Sequence, residues 1–354
     1  MTAIRVRTRA LAPLAALAVI AVGLAGCGTN GSTAAPAGSP AASPSTPSTQ
    51  AAAKAVPTCP LTGEKPRKGQ KIKRIPLAVK IDNVAPALPQ AGVNSADVVF
   101  EELVEGGLTR LMAVFGCSSV ATVGPIRSAR TSDADILALL HGSVFGFSGA
   151  NPEALPQIDA HGHTVQISQD VEGNDFHRDL SRPAPHNVFA STDVLIKAGL
   201  EKQKHLKNVA HPLFTYGPLP TWAKAAHSFS LAWPDTTASW SWSGGHWLRT
   251  QDGAVDRDTG GNQLSAANVV VMKVTIGSTG LHDVLGNASP LDITTGSNPV
   301  WIFRNGKVIK GTWHRKNVTS PLTFVGKGGK RLTLTPGRTW VELLPTTEHS
   351  PNIG

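Results

Sequence analysis

The chain has 354 residues, 41% of them hydrophobic, with 33 Lys and Arg against 24 Asp and Glu for a formal net charge of +9. The apolar fraction excludes a wholly disordered chain. No segment beyond the N-terminus is long and apolar enough to cross a membrane as a helix. Four of the basic residues precede Thr58 and every acid follows it, so the later part carries 29 bases against 24 acids, or +5. That mild positive balance suits an anionic envelope surface. Nothing supports nucleic acid as a partner, since the chain has no basic helix and no aromatic stacking motif.

Arg5, Arg7 and Arg9 precede an apolar stretch, 10–22, that is too short to span a bilayer. Leu24-Ala25-Gly26-Cys27 follows directly. This is the pattern of a bacterial lipobox, so 1–26 is read as a signal peptide and Cys27 as the acylated, palmitate-bearing N-terminus. A signal peptide with a chance cysteine, or an N-terminal membrane anchor, is the alternative. The segment 28–56 is almost wholly Ala, Ser, Thr, Pro, Gly, Asn and Gln. Such a composition buries too little apolar surface to order itself, so 27–57 is read as a tether. A flexible coil of that length reaches roughly 30 Å. The expected location is the outer face of the cytoplasmic membrane. Cys59 and Cys117 remain, and outside the cell an even pair reads first as a disulfide, with two buried thiols as the alternative.

The rest divides by pattern into an α+β chain. An N-terminal mixed α/β domain, 58–215, precedes a mostly antiparallel β-rich domain, 216–346, and a tail, 347–354. In the first, short apolar runs predict strands over 76–81, 96–104 and 108–115, with Gly106-Gly107 as a turn. Helical spacing follows over 132–141, capped by Thr131 or Ser132. A strand over 143–148 leads to a helix starting at Asn151-Pro152 and ending near His161-Gly162. A strand over 163–168 and a helix over 192–205 complete it. Alternating strands and helices predict at least one parallel pairing. In the second, 239–242 and 269–276 alternate in strand fashion. Runs over 300–303 and 308–313 flank Asn305-Gly306, a hairpin signal. Runs over 322–325 and 331–334 flank a glycine-rich turn in the same way. All eight tryptophans lie in this half and are read as core rather than as a carbohydrate platform.

In α/β folds, ligands collect where strands end and helices begin. Asp82 and Asn83 close the first strand, Glu105 and Arg110 flank the turn into the third, and Gly124-Pro125-Ile126-Arg127-Ser128-Ala129-Arg130 precedes a helix. Arginines on such a loop suit a phosphate or carboxylate. A second polar loop holds Arg178, Arg182, His186 and Asn187. The candidate ligand-binding set is therefore Asp82, Asn83, Glu105, Arg110, Arg127, Ser128, Arg130, Arg178, Arg182, His186 and Asn187. Asp82, Asp97 and His186 are the candidate catalytic groups, and Mg²⁺ held by a carboxylate is the candidate cofactor. A structural ion-pair network is the alternative for the first cluster, and a loop pinned by side-chain-to-backbone bonds the alternative for the second. No P-loop, G-x-G-x-x-G, His-Glu-x-x-His or Gly-x-Ser-x-Gly occurs.

Pro60-Leu61-Thr62-Gly63, Leu77-Ala78-Val79-Lys80-Ile81-Asp82-Asn83, Glu105-Gly106-Gly107-Leu108-Thr109-Arg110, the block from Val123 to Arg130 and Arg182-Pro183-Ala184-Pro185-His186-Asn187 resemble the YerB-like bacterial lipoproteins. So does Pro336-Gly337-Arg338-Thr339-Trp340 late in the chain. The resemblance implies a two-part extracytoplasmic protein with a lipid anchor, and it implies no mechanism. A looser likeness, of pattern only, is to the LytR-CpsA-Psr enzymes, which move anionic glycopolymers from a polyprenyl-pyrophosphate carrier. Three functions follow as expectations. The first is a binding module for an anionic wall polymer or isoprenoid phosphate. The second is a metal-assisted phosphotransferase or hydrolase of wall precursors, and the third a scaffold for envelope proteins.

Overall fold

The computed structural model describes residues 57–354 apart from 205 and 208. The signal peptide, Cys27 and the tether through Val56 lie outside the described residues, as does His205, the expected end of the last helix.

The first half contains β1 (Leu77–Asp82), β2 (Val98–Leu103), β3 (Thr109–Phe115), α1 (Ser132–Ala138), β4 (Val144–Phe147), α2 (Ala154–Gly162), β5 (Val165–Ser168), β6 (Phe176–Arg178), β7 (Val188–Ala190) and α3 (Thr192–Lys202). Helix α1 stops short of the expected His141, because the chain tightens into three-residue bonds such as Leu140 N–H to Leu137 O and then turns at His141, where φ is 53°. Neither Thr131 nor Ser132 caps it with its side chain. Asp133 does so instead, accepting the Arg130 N–H at 2.6 Å. Helix α2 begins two residues after Pro152, since Asn151 accepts from the Glu153 N–H in a local turn first.

The second half contains β8 (Lys224–Ala225), β9 (Ser228–Ala232), β10 (Thr237–Ser243), β11 (His246–Gln251), β12 (Ala254–Val255), β13 (Ser265–Ala266), β14 (Asn268–His282), β15 (Ala288–Ile293), β16 (Gly296–Arg304), β17 (Lys307–Arg315), β18 (Thr323–Val325), β19 (Thr339–Pro345) and β20 (Asn352–Ile353). Asn305 and Gly306 both take positive φ, 51° and 65°, which matches the twist of the β16–β17 hairpin. The expected strand over 331–334 does not form. Leu332 bonds back to Phe324 O while Leu334 bonds to Thr215 O, so the segment changes partner within two residues.

One twelve-stranded sheet runs in the order β18-β17-β16-β14-β19-β2-β3-β1-β4-β5, with β15 added to β14 and β8 to β17. The pairs β1–β4 and β4–β5 are parallel, as the strand–helix alternation requires. The second half is not purely antiparallel. Strand β19 lies parallel to both β14 and β2 and joins the two halves of the chain into one sheet. It reaches that slot after the long path from β18, which supplies the crossover a parallel pair needs. A second sheet, β12-β11-β10-β9-β20 with β13 beside β11, packs on one face of the large sheet.

Strands β1, β2, β3 and β19 are buried at every residue, because both faces of the sheet are covered. Successive residues feed opposite cores. Leu77, Val79 and Ile81 join Leu195 of α3 and the aromatics of the second sheet, whereas Ala78 joins Ile136 and Leu137 of α1. Trp233, Trp240, Trp247, Trp301, Trp313 and Trp340 are all buried, so the tryptophans fill the core.

Cys59 and Cys117 form a disulfide that spans 58 residues of sequence and ties the first described segment to the end of β3. Replacing both by Ala is expected to cost about 3–4 kcal/mol, read as a lower midpoint in urea unfolding.

Candidate functional site

The site begins with a split in the sheet. Strands β1 and β4 pair only over Leu77–Val79 and Val144–Gly146. Beyond that point the loop 123–130 enters the gap. Its Arg127 N–H donates to Lys80 O at 2.9 Å, and its Pro125 O accepts from Asp82 N–H at 2.9 Å. On the other side Ser148 N–H donates to Arg127 O and Ala129 N–H to Gly149 O. Gly124 allows this approach, for its φ is 149° and a Cβ there would sit 2.7 Å from Val188 O. Arg127, Ser128 and Arg130 are thereby held at the carboxyl end of β1 by main-chain bonds.

A cross-strand row supplies the rest. Asp82 on β1 pairs in register with Arg110 on β3, which pairs with Glu102 on β2. Asp82 Oδ2 lies 3.1 Å from Arg127 Nε and accepts from His186 Nδ1 at 2.7 Å. Arg130 Nε lies 2.6 Å from Glu105 Oε1, and Ser289 of β15 donates to the same carboxylate. Arg110 donates to Ser128 O at 3.1 Å. Together Asp82, Glu105, Arg110, Arg127, Ser128, Arg130 and His186 line a cleft of about 730 Å³. The walls are apolar, with Val84, Val104, Leu108, Ala150, Pro152 and Leu281.

Three guanidiniums face two carboxylates in this floor. Glu153 and Asp283 stand at the rim, where Glu153 is exposed and Asp283 is committed to its own turn. Burial lowers the Arg110 guanidinium to about 10, and the neighbouring Arg130 and Arg127 push the same way. Burial opposes the ionisation of Glu105, but hydrogen bonds from Ser289 and Arg130 and the Arg130 charge outweigh it and hold the carboxyl below its ordinary value. Beneath the floor Lys80 is fully buried between Glu102 and Asp133, 2.7 Å from the latter. Its ammonium is lowered to about 8 by burial, with Asp133 opposing.

The other candidates stand elsewhere. Asn83 is buried on the opposite face, where it donates to Glu101 and Thr109 and accepts from Gln90. Asp97 sits at the far end of β2 and accepts the N–H groups of Gly116 and Cys117 at 2.6 and 2.8 Å, so it fixes the turn after β3. It borders a separate cleft with Arg67 and Arg338. Arg178 bonds Asn187 Oδ1 at 2.8 Å, and Arg182 bonds the carbonyls of Ala87 and Pro89. These three hold the loop that presents His186 rather than the cleft itself. Sequence reasoning missed the tip of the β14–β15 hairpin, whose Leu281, His282, Asp283, Val284 and Leu285 close one side. Its signal was two aliphatics inside an Asp…Gly turn, where polar residues are usual.

Among the described residues no group of three or more His, Cys, Asp or Glu is placed to hold a metal ion. Asp82 and Glu105 are each already matched by an arginine. The residues present do not fit a protein-held Mg²⁺.

The chain matches the family described as "Protein of unknown function (DUF3048)", its N-terminal domain over 61–206 and its C-terminal domain over 229–341. It is 31% identical over 301 residues to "Putative lipoprotein YerB" of Bacillus subtilis (strain 168), covering 81% of this chain and 86% of that one. The crystal structure of the YerB protein from Bacillus subtilis aligns with a TM-score of 0.70 at 27% identity, covering 83% of this chain and 98% of that one.

Asp292 at the base of the hairpin offers a test of the buried charges. It is bonded to Ser132 and its carboxyl is raised to about 7, chiefly by burial, with Lys80 and the hydrogen bonds opposing. A raised carboxyl favours its neutral form, so folding stability falls as pH rises from about 4 toward about 7 and is flat above. Asp292→Asn lacks this slope. Between pH 5 and 8 the variant is expected to gain on the order of 3 kcal/mol over the native chain in urea unfolding.

Proposed function

Because this chain belongs to the DUF3048 family and is similar to a protein named "Putative lipoprotein YerB", we propose that it is a lipoprotein anchored through Cys27 whose folded part binds an anionic cell-envelope ligand. The location is the outer face of the cytoplasmic membrane, and the tether of residues 27–57 carries the folded part. The observation that supports the binding reading is the convergence of Arg110 from β3 with Arg127 and Arg130 from the 123–130 loop on one cleft. Arg127 makes no hydrogen bond from Nε and meets the protein there through its ion pair with Asp82. Among the described residues its terminal nitrogens make no hydrogen bond to the protein. A planar guanidinium so placed suits bidentate contact with a phosphate or carboxylate. The main-chain bonds that fix the loop mean that little ordering entropy is lost on binding.

Calorimetric titration of pyrophosphate and of a wall teichoic acid fragment tests this reading. The native chain is expected to bind, and Arg127→Ala to bind at least roughly tenfold more weakly, the loss of one charge-assisted contact. Failure of the native chain to bind any phosphate-bearing probe would refute it.

One observation favours a second reading, a hydrolase or phosphotransferase without a protein-held metal. His186 Nδ1 is held by Asp82 at 2.7 Å in a cleft with arginines. A carboxylate on one ring nitrogen leaves the other to take or give a proton. On this reading His186→Ala abolishes cleavage of a pyrophosphate ester while the ligand still binds. Cleavage at the native rate by that variant would remove it.

A further inference from the structure

We propose that the ligand of this cleft is an amphiphile, a phosphate or pyrophosphate head on an aliphatic chain, and that the tip of the β14–β15 hairpin is the surface that receives the chain. This rests on the anion-binding reading above and narrows it.

The hairpin is built as an overhang. Strand β14 has fifteen residues. Its first seven are buried between β16 and β19, and its outer half is paired with β15 alone. The ribbon therefore leaves the sheet and reaches past its edge. At its end the backbone is satisfied within the turn. Asp283 accepts from the N–H groups of Leu285 and Asn287 at 2.9 and 2.8 Å, and its own N–H donates to Asn287 O. A turn held in this way needs no apolar side chain for its own stability. It nevertheless carries Val284 at 102% exposure and Leu285 at 83%. Both border the cleft that holds the arginines.

The cleft is thus divided by chemistry. Arg110, Arg127 and Arg130 lie at the floor, while Val84, Val104 and Leu108 make the wall that rises from it. A free inorganic anion would use only the floor. An aliphatic alcohol would use only the wall and leave a floor in which three guanidiniums share two carboxylates. A lipid-linked phosphate uses both. The ribbon is also joined to the floor close to its tip, since Ser289, two residues after Asn287 of the turn, donates to the carboxylate that pairs with Arg130. The apolar tip is therefore positioned by the same network that positions the head-binding charges.

The test uses the chain from residue 27 with Cys27→Ser, so that no acyl group competes, and three probes: inorganic pyrophosphate, farnesyl pyrophosphate and farnesol. Farnesyl pyrophosphate is expected to bind at least tenfold more tightly than pyrophosphate, and farnesol not to bind. The double variant Val284→Ser, Leu285→Ser is expected to lose that tenfold advantage with an unchanged thermal midpoint and unchanged pyrophosphate affinity. Arg127→Ala is expected to weaken both pyrophosphates together. Equal affinity for the two pyrophosphates, or indifference of farnesyl pyrophosphate to the double variant, overturns the amphiphile while leaving the anion site standing. Binding of neither overturns both.

Discussion

The main-chain hydrogen bonds of the gap between β1 and β4 constrain everything at the site. Two parallel strands that separate leave donors and acceptors on facing edges, and buried edges of that kind must be paired. The 123–130 loop pairs them, taking Lys80 O and Asp82 N–H on one side and Ser148 N–H and Gly149 O on the other. A loop that serves as a strand in this way cannot drift. The arginines it carries are positioned as well as side chains on a regular element, although the segment belongs to none. The split lies where the sheet changes from an antiparallel neighbour, β3, to a parallel one, β4.

Charge is distributed on both faces of the sheet below this point. On the cleft face Lys80, Glu102 and Asp133 form a buried group. On the other face Glu101 meets Arg249 of β11 at 2.7 Å, and Arg249 also meets Asp256. Burial opposes the Arg249 charge, yet Glu101 and Asp256 raise its affinity for the proton above the ordinary value. Glu342 lies beside Glu101 on the neighbouring strand, and burial together with that neighbour raises its carboxyl well above its usual range. Buried sets of this kind seldom add net stability over apolar packing, but an unmatched partner is costly. Of the two sets, only the one at Glu101 and Arg249 links the large sheet to the second.

This distribution explains why some polar residues of the first half became framework. Asn83 follows Asp82 by one residue, so strand alternation sends it to the opposite face, among Glu101, Thr109 and Gln90. Asp97 precedes β2 rather than following it, so it meets the far end of β3 and the turn at Cys117. Arg182 spends its guanidinium on the carbonyls of Ala87 and Pro89 and stacks over Phe189. Each has the chemistry of a binding residue, but Asp97 and Arg182 are consumed by main-chain groups and Asn83 by the side chains of Glu101, Thr109 and Gln90, partners that no local pattern reveals.

The sequence by itself determined the longer elements of the first half, though not the short strands β6 and β7, and also the Asn305-Gly306 hairpin and the burial of six of the eight tryptophans. These depend on side-chain period, turn conformation and apolar area, all of which are local properties. It also determined that Asp82, Arg127, Ser128 and Arg130 lie at element ends, because the Gly-Pro loop and the strand end are written in consecutive residues. Only the tertiary structure decided that β19 joins the two halves in one sheet, since strand order depends on contacts between residues more than two hundred positions apart. It alone brought His186 to Asp82 across 104 residues and set the tip at Val284 and Leu285 on the border of the cleft that holds the arginines. Pairing across such distances is settled by which edges remain unpaired after the local elements have formed, and that is a property of the whole chain.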